Sequence, residues 1–301
     1  MSWRVLFVSK PSSLSLKNHN ILLKQENSQI LLPLEDYHTI VLESKQIYLT
    51  TALLSKLAQK KITLLSCDDS HLPNGIFMPF LAHSRFSKVV TYQVKASKPF
   101  YNRLWQSIIK QKIINQAKVL KYANIDEYKY LYTLADKVQS GDKKNIESYA
   151  ASIYWDVLFD DFNRRELDIR NSALNYGYSI IRSAIARVLV SYGLLPNFGI
   201  FHSNELNAFN LVDDFIEPFR AFVDFEVYKI YTDANRYIDD FMLSKDDKVK
   251  LIMLLEKYID ISGEKLTILN AIEKIVYSYQ SSLKNKEPRI PLPTFLNEVV
   301  S

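Results

Sequence analysis

The sequence predicts an α+β protein in which a small amino-terminal antiparallel β domain precedes a larger, all-helical domain. Over the first 75 residues, short aliphatic and β-branched runs alternate with turn-prone sequences, as expected of hairpins. From about Arg85 onward, apolar residues recur instead at the 3.6-residue spacing of helices. Pro73, Asn74 and Gly75 form a strong turn signal between the two regions. We therefore assign residues 1–75 to the β domain, 76–84 to a linker and 85–301 to the helical domain.

The individual elements follow from these periods. Strands are predicted in WRVLFVS, LSLKN, NILLKQ, QILLPL and TIVLES. A helix is predicted next in TTALLSKLAQKK, with Thr50 or Thr51 as its N-cap, and a further strand follows it in ITLLSCD. In RLWQSIIKQKIINQAKVLKYA, helical spacing is kept by Leu104, Ile108, Ile109, Lys112, Ile113 and Ala117. Further helices are predicted at 126–139, 144–160, 171–193, 204–232, 246–261 and 266–284. The proline-rich PRIPLPTFL is predicted to be an extended tail that packs on the body or on a partner.

Composition excludes several classes of protein. The amino terminus lacks a signal-peptide pattern and no apolar run is long enough to span a membrane, so we expect a cytoplasmic protein without membrane association. The single cysteine, Cys67, can form neither an intrachain disulfide nor a multi-thiolate zinc site. The six glycines form no phosphate-binding loop, dinucleotide-binding turn or nucleophile elbow. Common nucleotide-dependent and serine-hydrolase chemistries are therefore not expected.

Charge is distributed unevenly along the chain. No acidic residue occurs between Asp69 and Asp126, whereas nine lysines and arginines do, with aromatic residues interleaved among them. This pattern favours a surface that binds nucleic acid. The alternative is a solvated helix face that only keeps the protein soluble, but such faces usually mix both signs of charge. The candidate DNA contacts in this segment are Arg85, Lys88, Arg103 and Lys110.

A histidine and several carboxylates lie together in GIFHSNELNAFNLVDDFIEPFR, residues 199–220. On a helix, Glu217 shares a face with Asp213 and Asp214, and His202 precedes that helix in a predicted loop. Carboxylates with one imidazole suit Mn²⁺ well and Mg²⁺ acceptably. The alternative is structural, because Asp214 and Glu217 also have the spacing of an N-terminal capping box.

Glu147 is a third candidate carboxylate. In NIESYAASIYWDVLF it lies on a helix face beside small alanines, in a segment whose other positions are largely apolar. The alternative interpretation is a first-turn glutamate that complements the helix dipole.

Three segments, IESYAASIYWDVLF, NSALNYGYSII with GLLPNFGIFH, and LVDDFIEPFRAFVDFEV, resemble the motif regions of the CRISPR-associated adaptation integrase, the endonuclease that acquires new spacers. The resemblance covers nearly the whole chain and is closest to the forms found with type II systems. It implies an amino-terminal β domain joined to a larger helical catalytic domain, and a homodimer. It also implies assembly of two such dimers on one dimer of a small companion protein, which gives a heterohexamer.

The resemblance further implies a divalent metal, Mg²⁺ or Mn²⁺, with Glu147, His202 and Glu217 as its ligands and catalytic residues and Asp214 in support. The metal would assist attack of a captured fragment's 3′-hydroxyl on a phosphodiester at a repeat boundary of double-stranded DNA. Arginines between or beside these residues are candidate phosphate contacts or structural ion-pair partners: Arg164, Arg165, Arg170, Arg182, Arg187 and Arg220. A non-catalytic DNA-binding scaffold is the alternative function.

Overall fold

The computed structural model describes residues 4–80, 83–232 and 243–296, and its amino-terminal region forms two four-stranded sheets. The first has the strand order β1-β5-β7-β8 and the second β4-β3-β2-β6. Their strands are β1 (Arg4–Val8), β2 (Ser12–Lys17), β3 (Asn20–Gln25), β4 (Ser28–Pro33), β5 (Tyr37–Leu42), β6 (Ile47–Leu49), β7 (Thr63–Cys67) and β8 (Pro73–Phe77). The predicted β-rich start is confirmed.

The prediction of a purely antiparallel β domain is wrong. Strands β1 and β7 both run parallel to β5, and β6 runs parallel to β2, although β2, β3 and β4 do form antiparallel hairpins. The chain leaves the first sheet after β1, builds the β2–β4 meander, and returns as β5. It crosses again through β6 and helix α1 (Thr51–Gln59) before β7. Strands joined by such crossovers return in the same direction, and the antiparallel pairing of β8 with β7 makes the first sheet mixed.

The first sheet is buried on both faces and so joins two hydrophobic cores. Along β5, Ile40 packs into a small core with α1, whereas the next residue, Val41, belongs to the large core of the helical region. Neighbouring residues on a strand point to opposite faces, which accounts for this division. The side chain of Thr50 accepts a hydrogen bond from the backbone N–H of Leu53 at 3.3 Å, which confirms it as the cap of α1.

The predicted domain boundary at residue 75 falls inside a strand. Gly75 lies in β8, where an added Cβ would come within 2.3 Å of Ser66 Oγ on β7. Strand β8 therefore carries the first sheet to Phe77, and the division of the chain into domains stays a prediction.

The remainder of the chain is mainly helical, as predicted. Its helices are α2 (Phe86–Lys95), α3 (Lys98–Tyr122), α4 (Tyr128–Lys137), α5 (Ile146–Leu158), α6 (Ile169–Ser191), α7 (Asn210–Ile216), α8 (Arg220–Tyr231), α9 (Lys245–Ile252) and α10 (Ile268–Asn285). The predicted helix over 204–232 begins later, at Asn210, and a 3₁₀ turn at Glu217–Phe219 separates α7 from α8. Pro218 explains the interruption, because it has no N–H to donate within a helix.

The prediction that this region is all-helical is wrong. The predicted helix over 246–261 ends at Ile252, and strands β9 (Tyr258–Ile261), β10 (Glu264–Thr267) and β11 (Pro293–Thr294) form a three-stranded antiparallel sheet. Ser262 and Gly263 turn the β9–β10 hairpin with φ values of 57° and 84°. Two consecutive residues with positive φ are typical of the tight turns that join antiparallel strands.

The proline-rich tail packs on the body of the protein, as predicted. Strand β11 pairs with β9, and Ile290 and Phe295 are buried in the large core. Across the three described ranges, no helix combines the length and the apolarity needed to span a membrane.

The close packing of α6 on α8 gives the first testable prediction. A Cβ built on Gly177 of α6 would lie 2.5 Å from Val223 Cγ1 of α8, so Gly177→Ala should force the helices apart. We expect the free energy of unfolding to fall by about 1–3 kcal/mol in urea denaturation. Ser179→Ala on the same helix removes only a hydroxyl bonded to its own helix and should change stability by less than about 0.5 kcal/mol. Equal stability of the two variants would contradict this packing.

Candidate metal centre

Glu147 enters the site from the first turn of α5, and Asp142 fixes that turn. The Asp142 carboxylate accepts the backbone N–H groups of Ile146 and Glu147, each at 3.0 Å. It thereby satisfies two of the amide groups that a helix leaves unpaired at its amino end. Glu147 does lie in the first turn, as the dipole interpretation required, but its carboxylate pairs with Lys112 of α3.

His202 is held by the buried carboxylate of Asp214. Asp214, on α7, accepts the backbone N–H groups of Ile200, Phe201 and His202, the last two at 3.1 Å. The same carboxylate lies 2.7 Å from His202 Nδ1. Because a carboxylate accepts, Nδ1 carries the proton and Nε2 is the ring atom left to bind a cation.

A glycine is required where this loop approaches Asp214. A Cβ on Gly199 would come within 2.2 Å of the His202 carbonyl oxygen and 2.8 Å of Asp214 Oδ2. The loop can therefore wrap around the carboxylate only because position 199 has no side chain.

The capping-box alternative for Asp214 and Glu217 is wrong. Helix α7 begins at Asn210, so Asp214 lies inside it, and Phe209 at its N-cap makes no side-chain cap. Asp213, one residue earlier, does not join the site. It pairs with Arg182, whose Nε lies 2.6 Å from Asp213 Oδ1.

Glu147 and Glu217 converge on one cation, the ammonium group of Lys112. Lys112 Nζ lies 2.5 Å from Glu147 Oε1 and 2.6 Å from Glu217 Oε2. Arg220 Nε donates to the other oxygen of Glu217, Oε1, at 2.9 Å. Glu217 Oε2 is buried and pairs with the Lys112 ammonium.

The charges of the site shift the pKa values of its members. Burial alone would raise the pKa of Glu217, but the positive charges of Arg220 and Lys112 lower it to about 2. Burial alone would likewise lower the pKa of Lys112, but Glu217 and Glu147 raise it. The pKa of His202 is raised chiefly by its hydrogen bond to Asp214, with further contributions from Glu217 and Glu147. Both glutamates therefore lie close enough for their charges to act on the imidazole.

The donor set fits Mg²⁺ or Mn²⁺, although its members are not arranged around an ion. In the described parts of the chain, no three histidine, cysteine, aspartate or glutamate side chains stand ready to hold a metal. Two observations nevertheless suit a cation: two carboxylates already surround one positive charge, and Glu217 Oε2 is buried against that charge. Carboxylate oxygens with one imidazole nitrogen are ligands that Mn²⁺ and Mg²⁺ accept. A metal held by both carboxylates would take the place of the Lys112 ammonium.

A second buried network supports the site from behind. The Arg220 guanidinium lies 4.7 Å above the ring of Tyr178 on α6, and the Tyr178 hydroxyl donates to Asp224 on α8. Tyr154, on the same helix as Glu147, donates to the other Asp224 oxygen at 3.1 Å. Helices α5, α6 and α8 are thus connected through polar groups directly behind Glu147 and Glu217.

The ten candidate DNA contacts divide into three groups. Five side chains lie exposed on the surface: Arg85, Lys88, Arg103, Lys110 and Arg165. Three others form ion pairs with Asp168, Asp213 and Glu217, as the structural alternative for them required: Arg170, Arg182 and Arg220. The last two are Arg164, which donates to Asn171 Oδ1 at 2.8 Å and Asn175 Oδ1 at 2.7 Å, and Arg187, which lies partly buried on α6.

Sequence reasoning missed Lys112, Asp142 and the network around Asp224. Lys112 is one of the nine basic residues between Asp69 and Asp126, yet it lies on the apolar face of α3. A lysine on such a face indicates a buried charge that needs a partner of opposite charge. Asp142 follows a glycine in a turn before α5 and carries no comparable signal. Asp224 lies among apolar residues in FVDFEV, where a buried carboxyl could have been suspected.

The family described as "CRISPR associated protein Cas1" matches residues 6–257. The chain belongs to this family. The CRISPR-associated endonuclease Cas1 of Neisseria meningitidis serogroup C (strain 8013) is 39% identical over 299 residues, which are 98% of this chain and 97% of the relative. The family membership inferred from the three motif regions is confirmed.

Two solved structures share the fold at low sequence identity. A casposase bound to an integration product superposes with a TM-score of 0.76 at 18% identity, covering 96% of this chain and 92% of that one. A chain of a Cas6-RT-Cas1–Cas2 complex superposes with a TM-score of 0.73 at 17% identity, covering 95% of this chain and 35% of that one. The Cas1 fold thus accounts for both the mixed sheets and the helical region.

Replacing Lys112 tests whether its ammonium stands where this Cas1 protein would bind metal. Lys112→Met leaves Glu147 and Glu217 without their shared cation, so the metal-free protein should lose about 3–5 kcal/mol of stability. Mn²⁺ should then raise Tm more in the variant than in the native protein, because no ammonium competes for the carboxylates. Thermal denaturation with EDTA and with Mn²⁺ measures both effects.

Lys110→Met is the matched control for this experiment. Lys110 lies on the same helix but pairs with Asp136 at the surface, 2.8 Å away, so its loss should cost no more than about 1 kcal/mol. The metal-induced rise in Tm should equal that of the native protein. An equal or smaller rise in Lys112→Met would contradict the assignment.

The pKa of Asp224 predicts a pH dependence of stability. Burial raises this pKa from 3.8 to about 6, against the lowering effect of the Tyr178 and Tyr154 hydrogen bonds. Between pH 4 and 6 the native state retains a proton that the unfolded state releases. The free energy of unfolding should therefore fall as pH rises across this window, by up to ~3 kcal/mol from this group.

Asp224→Asn should remove this part of the pH dependence. Urea denaturation between pH 4 and pH 7 compares it with the native protein and with Asp156→Asn, an exposed aspartate on α5. Other buried acids are common to all three proteins, so their contribution cancels in the comparison. An unchanged slope in Asp224→Asn would show that Asp224 does not retain its proton.

Proposed function

We propose that this protein is a divalent-metal-dependent DNA integrase and endonuclease of CRISPR adaptation, which inserts captured DNA fragments as new spacers into a CRISPR array. The observation that carries the proposal is the convergence of Glu147 and Glu217 on one cation beside a histidine oriented by a buried carboxylate. The Cas1 endonuclease from Neisseria meningitidis and the fold shared with a casposase bound to an integration product support the same activity.

Glu147, Glu217 and Nε2 of His202 would hold Mg²⁺ or Mn²⁺, which when bound polarises a phosphodiester and lowers the pKa of an attacking hydroxyl. Asp214 keeps the proton of His202 on Nδ1, so Nε2 would be free to bind the cation as a neutral donor. Arg220 holds Glu217 Oε1 and leaves Oε2 available. Each residue then has a role that its contacts already support.

The reaction would be a transesterification at a repeat boundary. The 3′-oxygen of a captured fragment forms a bond to phosphorus, and the bond to the 3′-oxygen of the target strand breaks. The attacking hydroxyl loses one proton and the released hydroxyl gains one, so the number of phosphodiesters is unchanged. The reaction therefore needs no nucleotide hydrolysis, in keeping with a chain that carries no phosphate-binding glycine loop.

Exposed cations of α2, α3 and the segment before α6 would contact the DNA backbone. Arg85, Lys88, Arg103, Lys110 and Arg165 are exposed, as phosphate contacts require. For Arg170, Arg182 and Arg220 we propose a structural role, because each already neutralises a carboxylate. Arg164 is also engaged in hydrogen bonds to asparagines and would need to rearrange.

We further propose that the protein acts in the cytoplasm as a homodimer on double-stranded DNA, with two dimers assembled on one dimer of a small companion protein. The shared fold with a chain of a Cas6-RT-Cas1–Cas2 complex supports a companion of the Cas2 kind. Strand-transfer assays with and without that companion would test the need for it.

Strand transfer by ligand variants tests the site. Glu147→Gln, His202→Asn and Glu217→Gln retain the size of each side chain but remove a charge or change the donor. Each should lower joining of a fragment to half-site DNA in Mn²⁺ by about 100-fold or more. Asp156→Asn, an exposed carboxylate on the same helix as Glu147, should retain activity. Circular dichroism would verify that all four variants fold.

Two outcomes would contradict the proposal. Full strand transfer by all three ligand variants would refute the site. Salt-dependent DNA binding that EDTA leaves unchanged, with no joining or cleavage in any divalent metal, would instead identify a non-catalytic DNA-binding scaffold.

A further inference from the structure

Phe201 presents a half-exposed aromatic ring directly beside the candidate metal centre. Its side chain is 50% exposed, although it lies flat against Trp105, which is only 1% exposed. The two ring centroids are 4.4 Å apart and the ring planes differ by 3°. Trp105 therefore covers one face of Phe201, and the exposed area belongs to the opposite face and the edges.

The position of this ring is fixed from two sides. The Phe201 backbone N–H donates to Asp214 Oδ2 at 3.1 Å, and Trp105 of α3 supports the ring from the core. Gly199, which allows the loop to wrap around Asp214, sets the path of the chain two residues earlier. An exposed apolar residue alone is unremarkable, but a rigid ring with one open face is a prepared surface for a flat ligand.

The open ring lies next to the histidine assigned to the metal. The Phe201 and His202 ring centroids are 5.9 Å apart, and their planes are nearly perpendicular at 85°. A flat group stacked on Phe201 would therefore lie beside the imidazole of His202. In a DNA substrate that group is a base of the nucleotide at the reacting phosphate or hydroxyl.

We propose that Phe201 is a stacking platform for the terminal base of the strand that carries the attacking 3′-hydroxyl. Bases within a duplex have neighbours on both faces, whereas a terminal base has one face free. Aromatic side chains accept any base on that face without reading its identity, which suits an enzyme that takes fragments of varied sequence. Phe201 would act as a positioning residue that holds the terminal nucleotide. This inference rests on the proposed integrase function.

Fluorescence of a reporter base tests the contact without requiring catalysis. The full-length protein is mixed with a DNA fragment whose 3′-terminal base is 2-aminopurine, which loses fluorescence when it stacks. The native protein should quench it at saturating concentration, and Phe201→Tyr should do the same. Phe201→Leu should bind the fragment with far less quenching. Tyr48→Leu, which removes an exposed aromatic side chain from β6, should quench like the native protein.

A substrate without the terminal base separates stacking from a general defect. With an ordinary fragment, Phe201→Leu should slow strand transfer about tenfold and Phe201→Tyr should restore it. With an abasic 3′-terminal nucleotide, the native protein and Phe201→Leu should be equally slow. An abasic nucleotide in the target strand should leave the tenfold difference in place.

The outcomes distinguish this inference from the proposed function. The platform would be overturned, with integration left intact, if Phe201→Leu quenched 2-aminopurine as strongly as the native protein does. A strand-transfer defect of Phe201→Leu that persists on the abasic fragment would have the same meaning. If an abasic nucleotide in the target strand removed the tenfold difference between Phe201→Leu and the native protein, the platform would also be overturned. Glu147→Gln should abolish transfer and retain quenching. Quenching that depends on Phe201 in a protein without transfer activity would support the platform and refute the integrase.

Discussion

The buried carboxylate of Asp214 is the constraint on which the site depends. An ionised carboxylate without solvent is costly unless donors surround it. Asp214 meets this requirement with the backbone N–H groups of residues 200, 201 and 202 and with the imidazole of His202. Burial raises its pKa, and the hydrogen bond and charge of His202 oppose that rise. The loop has to follow the carboxylate, because those amides have no better acceptor.

The second constraint is charge balance around Glu217. Burial, the largest single influence on its pKa, opposes ionisation, and only the combined charges of Arg220 and Lys112 reverse that effect. The two cations differ: Arg220 also contacts the ring of Tyr178 behind the site, whereas Lys112 lies between the two carboxylates proposed as metal ligands. A divalent cation can replace an ammonium between two carboxylates without leaving them unpaired. In the proposed metal site, folding stability without metal and affinity for metal would therefore depend on the same two carboxylates, those of Glu147 and Glu217.

The α+β class and most of the helices could be predicted because both depend on local periodicity. The strand directions could not, because β1, β5 and β7 are parallel only through connections that pass through the second sheet. Strand β9 falls inside the helix predicted over 246–261, although Tyr258, Ile259, Asp260 and Ile261 show the polar–apolar alternation of a strand before Ser262 and Gly263. The 3.6-residue period of the preceding helix was extended into this segment, whose alternation has the two-residue period of a strand.

The site could be predicted only in part, because some of its contacts depend on the packing of elements that are distant in sequence. The motif resemblance named Glu147, His202, Asp214 and Glu217, and the spacing of the last two admitted a capping box that the early start of α7 excludes. Lys112 could not be assigned from spacing, since its partners lie on other elements and only packing brings them together. A lysine on an apolar helix face does predict that some partner exists, because an unpaired buried ammonium would be too costly.

His202 and Phe201 lie on one loop, so the orientation of the imidazole and the position of the exposed aromatic ring depend on each other. Both residues take their positions from the same Asp214 carboxylate, and neither can shift without breaking a backbone hydrogen bond to it. Trp105 then stabilises the ring of Phe201 from α3, the helix that also carries Lys112. A change that loosened Asp214 would therefore disturb the proposed metal ligand His202 and the aromatic surface together, whereas a change at Trp105 would act first on the aromatic surface. The core side of α3 thus contributes to both the charge and the shape of the site.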